Sequence, residues 1–167
     1  MNTDFLVIGS GAAGLSFALK ASKAGHVTLV TKGELNECNT NYAQGGICSV
    51  TYFPDTFEKH IEDTLICGAG KCDRAAVERV VKLAPQAAKD LVEWGVNFDK
   101  TPDGRFDLHR EGGHSEHRIL HHNDLTGAEI ERALIEEVRK NANITVLDHH
   151  FAIDLLTQHH LGEIVTR

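Results

Sequence analysis

A chain of 167 residues is the size of one ordinary domain, long enough to bury a core. With 41% hydrophobic and 25% charged residues it has the balance of a globular protein in water, and a net charge of −7 without any Lys/Arg run argues against nucleic acid or an anionic membrane as main partner. No apolar stretch approaches the roughly 18 residues that span a bilayer, and the opening MNTDFLVIGSG has no basic segment, so no signal peptide and a cytoplasmic location are expected.

The first elements are sharply drawn. Asp4 to Ile8 is a short apolar run, GSGAAG follows, and Leu15, Ala18, Leu19 and Ser22 then recur at helical spacing. Gly25 stands where a helix C-cap is expected, and His26 to Val30 is a β-branched strand. Strand, glycine turn, helix and strand within about 30 residues make a βαβ unit, which implies a parallel sheet. Residues 33 to 54 are polar and rich in Gly and Asn, too long for a simple connection and therefore read as functional.

Asp55 with Glu58 reads as a capping box opening a helix to about Cys67. Asp73 caps a second helix running to Trp94 and Gly95, with Pro85 expected to end or kink it midway. Val96 to His109 has the pattern of a hairpin turned by Pro102, Asp103 and Gly104. Thr126 with Glu129 reads as another capping box, ahead of a helix striped by Ile130, Leu134, Ile135 and Val138. Ile144 to Leu147 and Phe151 to Leu156 are expected as two closing strands, and LGEIVTR at the end looks like a strand just beginning. The pattern is that of the N-terminal part of a larger protein. Cys38, Cys48, Cys67 and Cys72 show no C-x-x-C spacing and are expected as reduced thiols.

Gly9, Ser10, Gly11, Ala12, Ala13 and Gly14 fit G-x-G-x-x-G between a strand and a helix. Gly9 permits the tight turn, Gly11 lets a pyrophosphate approach the backbone, and Gly14 lets helix and strand pack closely. The helix N-terminus would then present N–H groups and a partial positive charge to the phosphates. The acid that usually ends the second strand to hold an NAD ribose is missing from Val30, Thr31 and Lys32; Glu34 comes a few residues late. Lys32 suits either a 2′-phosphate, as in NADP, or an FAD enzyme with a Ser/Thr-Lys pair at this point.

The stretch Asn39, Thr40, Asn41, Tyr42, Ala43, Gln44, Gly45, Gly46, taken with GSGAAGL at the front and REGGHS at 110 to 115, resembles the succinate dehydrogenase/fumarate reductase flavoprotein family. Within it the chain is most similar to the aspartate-oxidising branch. CGAGKCD at 67 to 73 and the H-x-x-D-x-T-G element ending at Gly127 extend the resemblance over essentially the whole chain. It implies an α/β, Rossmann-like FAD-binding domain with a parallel sheet, of which residues 1–167 are the N-terminal part; the capping domain and C-terminal helical domain would lie outside the chain. By resemblance Ser10 to Ala13 hold the FAD pyrophosphate, Lys32 sits by the adenosine ribose, and Asn39 to Gly46 line the isoalloxazine. A glycine pair there would let backbone N–H groups reach the ring edge and stabilise the charge that arrives on reduction. The membrane-bound members attach FAD through a histidine where this chain has Asn39, so FAD is expected to be non-covalent. Gln44 stands where those enzymes carry a glutamate.

Five of eleven histidines fall in HREGGHSEHRILHHND, residues 109 to 124. His114 and His117 are three apart and His121 and His122 adjacent, a spacing that does not converge on one ion, so no metal site is expected. The resemblance instead makes Glu111 the catalytic candidate: a glutamate would recognise the substrate ammonium and select an amino dicarboxylate over succinate. His114 and Arg118 are candidates for orienting that loop. The implied reaction is FAD-dependent oxidation of L-aspartate to iminoaspartate, with O2 or fumarate as acceptor and quinolinate synthase taking the imine in NAD biosynthesis. The family draws its carboxylate clamps from outside these 167 residues, so the fragment is expected to be inactive. Rival readings are a soluble fumarate reductase or succinate-oxidising flavoprotein, a non-catalytic dinucleotide-binding module, and a metal-binding module built on the histidines.

Overall fold

The computed structural model describes residues 2–157. In chain order the elements are β1 (Phe5–Ile8), α1 (Ala12–Ala21), β2 (Val27–Val30), β3 (Ile47–Cys48), α2 (Phe57–Cys67), α3 (Arg74–Glu93), β4 (Leu108–His109), β5 (Ile119–Leu120), α4 (Thr126–Lys140) and β6 (Ile144–Leu147). β1, β2 and β6 form a parallel sheet with β2 in the middle; Val7 pairs Leu29, which pairs Val146. β3, β5 and β4 form a small antiparallel sheet with β5 central, in which Ile47 and Leu108 both pair Leu120.

The core lies where α1 and α4 pack together on the parallel sheet. Leu15, Ala18 and Leu19 meet Ile130, Leu134 and Val138 over Val27 and Leu29, all of them buried. The apolar stripe expected on α4 is therefore its inner face, and the βαβ reading of the first 30 residues holds. α2 and α3 pack against each other, and Ala88, Val96 and Phe98 join the same core.

Several local expectations are corrected. α2 is capped by Thr56, whose hydroxyl accepts from Lys59 N, and not by Asp55; that carboxylate is committed to Arg118. Thr126 is the first helical residue of α4, not its cap: its hydroxyl accepts from His122 N, while Glu129 turns to Asn97 and Arg132. Gly25 does not supply a left-handed cap; a side chain there would collide with Asp4, which accepts from His26 N. α3 runs unbroken past Pro85 after the expected Asp73 cap, which accepts from Ala76 N. Since proline costs a helix one backbone donor, tertiary packing of the amphipathic face carries α3 through it.

The hairpin between Val96 and His109 closes through the Lys100–Phe106 bridge with Gly104 at φ +85°, but Leu108 and His109 pair onward with β5. Phe151 to Leu156 forms no strand: it has no neighbouring ladder among the described residues, and Phe151, Ile153, Leu155 and Leu156 are exposed. The strand expected in LGEIVTR lies outside the described residues.

Candidate functional site

The glycine loop does what its spacing requires. Gly9 sits at φ +104°, left-handed backbone that favours glycine, and its N–H donates to Val30 O across the sheet. A Cβ on Gly14 would stand 2.0 Å from Gly9 O, so α1 approaches β1 at a distance no side chain allows. Ser10 and Thr31 are buried and their hydroxyls hydrogen-bond at 3.1 Å, tying this turn to the end of β2. Gly11, Ala12, Ala13 and Gly14 form the entry to α1, where the first N–H groups have no carbonyl one turn back. One of these donors, Ala12 N, is taken by Thr40 Oγ1 at 3.0 Å.

A groove of about 460 Å³ opens beside this helix end. It brings together Gly9, Ser10, Gly11, Lys32, Asn39 and Tyr42, residues far apart in sequence that were expected to serve one cofactor. Glu37, Cys38 and the segment from His150 to Ala152 also line it, and sequence reasoning passed them over. Glu37 accepts from the Tyr42 hydroxyl at 2.9 Å, which fixes the ring over the groove although Tyr42 is 64% exposed. Glu34, weighed as a late ribose acid, instead meets His149 at the surface.

From this groove the loop from Asn39 to Gly46 crosses to the antiparallel sheet. Asn41, Tyr42 and Ala43 donate back three residues in consecutive turns, and Ala43 O accepts from Gly127 N at 2.9 Å. Gly127 must be glycine: its Cβ would lie 1.9 Å from Thr40 O and 2.7 Å from Ala43 O. Gln44 and Gly45 are exposed, and Gly45 has open space around it. Gly46 then packs so tightly that a Cβ would stand 2.3 Å from Leu120 O. The loop thus has two fixed ends and an exposed glycine between them.

Glu111 does not line the groove. It is exposed, in the turn that leaves β4, with its carbonyl accepting from His114 N and Gly113 at φ +85° completing the turn. Burial first, and the charge of Glu111 second, push the Cys48 thiol up, which sets Glu111 near the end of β3. The same three-stranded sheet therefore receives the flavin-loop candidate at one strand and presents Glu111 beside another.

The turn is held from beneath by a buried cation. Arg118 is fully buried; Nε and Nη2 donate to the two oxygens of Asp55 at 2.8 and 2.7 Å, and Nη1 donates to Asp63 at 2.6 Å. Asp63 also accepts from both the backbone and the hydroxyl of Ser115. Burial raises the Asp63 carboxyl, but the Ser115 and Arg118 donors outweigh it and hold the pKa down at about 2. Nη1 also meets His114 Nδ1 at 3.2 Å. A guanidinium only donates, so Nδ1 is the acceptor and the His114 proton sits on Nε2, 3.6 Å from Cys48 Sγ. Arg118 and His114 meet each other beneath the Glu111 turn. Asp55 and Asp63 complete the arrangement; the sequence pattern reads Asp55 as a helix cap and does not single out Asp63.

Glu131 is a second buried group that the sequence did not single out. It is fully buried on α4, neither oxygen has a hydrogen bond among the described residues, and the Cys38 thiol lies against it. Burial pushes its carboxyl up to about 7. All four cysteines are free thiols, as expected. No helix of the described residues is long and apolar enough to cross a membrane.

Residues 4–166 match the FAD binding domain family. The chain is 52% identical over 161 residues to the chloroplastic L-aspartate oxidase of Oryza sativa subsp. japonica, covering 96% of this chain and 25% of that protein. It is 46% identical over 164 residues to the L-aspartate oxidase of Vibrio cholerae, covering 95% and 31%. Among solved structures, E. coli quinol fumarate reductase superposes with a TM-score of 0.88 at 29% identity, over 92% of this chain and 27% of that one. A flavocytochrome c3 fumarate reductase superposes at 0.78 with 27% identity, over 88% and 26%. The chain spans about a quarter to a third of the length of these relatives. A left-handed Gly9, a helix entry that admits no side chain at Gly14, and a groove carrying Lys32 and Asn39 fit FAD, and the chain belongs to the FAD binding domain family of the succinate dehydrogenase/fumarate reductase flavoproteins.

Proposed function

We propose that the protein to which this chain belongs is an FAD-dependent oxidase of L-aspartate, and that residues 1–167 are the N-terminal part of its FAD-binding domain. The observation that carries the reading is the loop from Asn39 to Gly46, strung from the phosphate groove to the sheet that presents Glu111. FAD, held without a covalent bond because Asn39 offers no imidazole, supplies the hydride acceptor. The α1 entry faces its pyrophosphate with N–H groups, Lys32 neighbours its adenosine half, and Gly45 and Gly46 offer backbone donors to the ring edge. Glu111 pairs with the ammonium of the substrate and so orients the Cα–H bond; with succinate its charge would stay unpaired, which costs binding. The product is iminoaspartate. Either O2 or fumarate would serve as electron acceptor, and quinolinate synthase would receive the imine in NAD biosynthesis. A cytoplasmic setting belongs to the same proposal; the rice relative is named chloroplastic. The cationic clamps for two carboxylates would come from outside this chain, so the isolated 167-residue chain is expected to show no turnover.

The fumarate reductase likeness gives the second reading, a soluble enzyme of dicarboxylates without an amine. Anaerobic titration of the intact FAD-loaded protein separates the two. Bleaching of the oxidised-flavin band by L-aspartate and not by succinate supports the oxidase; bleaching by succinate alone overturns it.

A further inference from the structure

Three clusters of metal-capable side chains lie in the described residues: Cys48 with His60 and His114, Glu34 with Asp148 and His149, and Asp107 with His109 and His121. In the first, Arg118 takes His114 Nδ1 and leaves the proton on Nε2, the atom an ion would need, with a fixed positive charge alongside. The second is exposed at all three residues. The third has neither defect.

The register makes it. Leu108 pairs Leu120 and His109 pairs Ile119, so the antiparallel ladder carried one step further sets Asp107 across from His121. His121 is 6% exposed, yet both of its ring nitrogens lack a hydrogen bond among the described residues. Its Nε2 lies 3.8 Å from Asp107 Oδ2, and its ring stacks on that of His109 at 3.6 Å between centroids. On the far side, Asp99 Oδ2 stands 3.3 Å from His121 Nδ1. Asp99 is itself held by the backbone, donating from its N–H to His121 O and accepting from Asn123 N. Asp99 stands behind one nitrogen of this buried imidazole and Asp107 before the other, the layout in which an outer carboxylate orients a metal-bound histidine; His109, stacked on the ring face, joins the donor set once its ring turns out of the stack. Histidine spacing between 109 and 122 does not show this set, because the third ligand, Asp107, and the outer acid, Asp99, meet His121 across the ladder and the hairpin.

We propose that Asp107, His109 and His121 bind one borderline-soft divalent cation, zinc being the fitting case, with Asp99 orienting His121 and a fourth position open to water. Two imidazole nitrogens and one carboxylate oxygen are zinc donors, and two carboxylates around neutral imidazoles give the site the charge a dication needs. The donor atoms lie within 4.8 Å of one another. Tetrahedral bonds of about 2.0–2.2 Å bring donors to about 3.3 Å apart, a closure that side-chain rotation in the half-buried Asp107 and the exposed His109 supplies.

The test is equilibrium dialysis of the intact FAD-loaded protein against micromolar zinc, with metal counted per chain, for the wild type and for His109→Ala, Asp107→Asn and Cys48→Ala. The expected result is one zinc per chain in the wild type and in Cys48→Ala. His109→Ala and Asp107→Asn should each bind at least tenfold more weakly; His109 is exposed and Asp107 half-buried, and flavin content reports that the variants are folded. No retained zinc in the wild type, wild-type affinity in His109→Ala, or loss in Cys48→Ala would each overturn the proposal.

Discussion

Replacing Glu131 by Gln isolates the cost of a buried carboxyl whose neighbour is the Cys38 thiol and not a cation. Glu131 is fully buried, neither oxygen has a hydrogen bond among the described residues, the Cys38 thiol lies against it, and burial raises its pKa from 4.5 to about 7. Between those values the unfolded chain has released the proton and the folded chain still holds it. The unfolded state then binds fewer protons, so stability falls as pH rises from about 4.5 and levels off above about 7. At about 1.4 kcal/mol per pH unit over that window, the whole effect comes to about 3 kcal/mol. Glutamine has nearly the same shape and no charge to lose. Urea unfolding of both proteins from pH 4.5 to pH 8 should show near-equal stability at the acid end. Glu131→Gln should gain steadily above it, reaching about 3 kcal/mol at pH 8. A difference that does not change with pH would refute the reasoning, and would mean that Glu131 is ionised and paired in the folded protein.

Three further outcomes follow from the same geometry. Gly14→Ala puts a carbon against the Gly9 carbonyl, where only backbone can yield; a loss of about 1–3 kcal/mol or more, with loss of bound FAD, should appear in thermal unfolding and flavin content. Arg118→Leu leaves Asp55 and Asp63 without their buried partner and should cost about 3–5 kcal/mol in denaturant unfolding, since an unpaired buried charge remains. The wild type should lose the stability held by Asp63 as pH falls from 4 through about 2, and Arg118→Leu should lose much less over that range. Thr40→Val removes the hydroxyl that accepts from Ala12 N, and is expected to weaken FAD binding several-fold with little effect on the far-UV spectrum.

The parts legible in the sequence were those with a strong local cause. The β1–α1–β2 unit announces itself because glycine spacing and apolar periodicity act over adjacent residues, and Leu15, Ala18 and Leu19 went where the 3.6-residue period sends them. The α4 stripe was readable for the same reason. Asp55 was not: D-x-x-E satisfies the capping pattern, and only the fold brings Arg118 to it from 63 residues away. Thr126 misled in the same manner, because its hydroxyl found His122 N first. Phe151 to Leu156 has strand composition, but a strand needs a ladder partner. In the candidate site, Gly9 to Gly11 from the short motif, Lys32 after β2, and Asn39 and Tyr42 from the loop were named together. Glu37, Cys38, Glu131 and the Asp107–His121 pairing depend on contacts that sequence distance conceals.

Glu111 is proposed to read the substrate ammonium, and the direct measurement is the half-reactions of Glu111→Gln in the intact FAD-loaded protein. Flavin reduction by L-aspartate should slow by at least tenfold, while flavin content and reoxidation of the reduced protein by fumarate stay near wild type, because fumarate carries no ammonium. Equal loss in all three would contradict the account and leave Glu111 as a residue that only shapes the turn after β4.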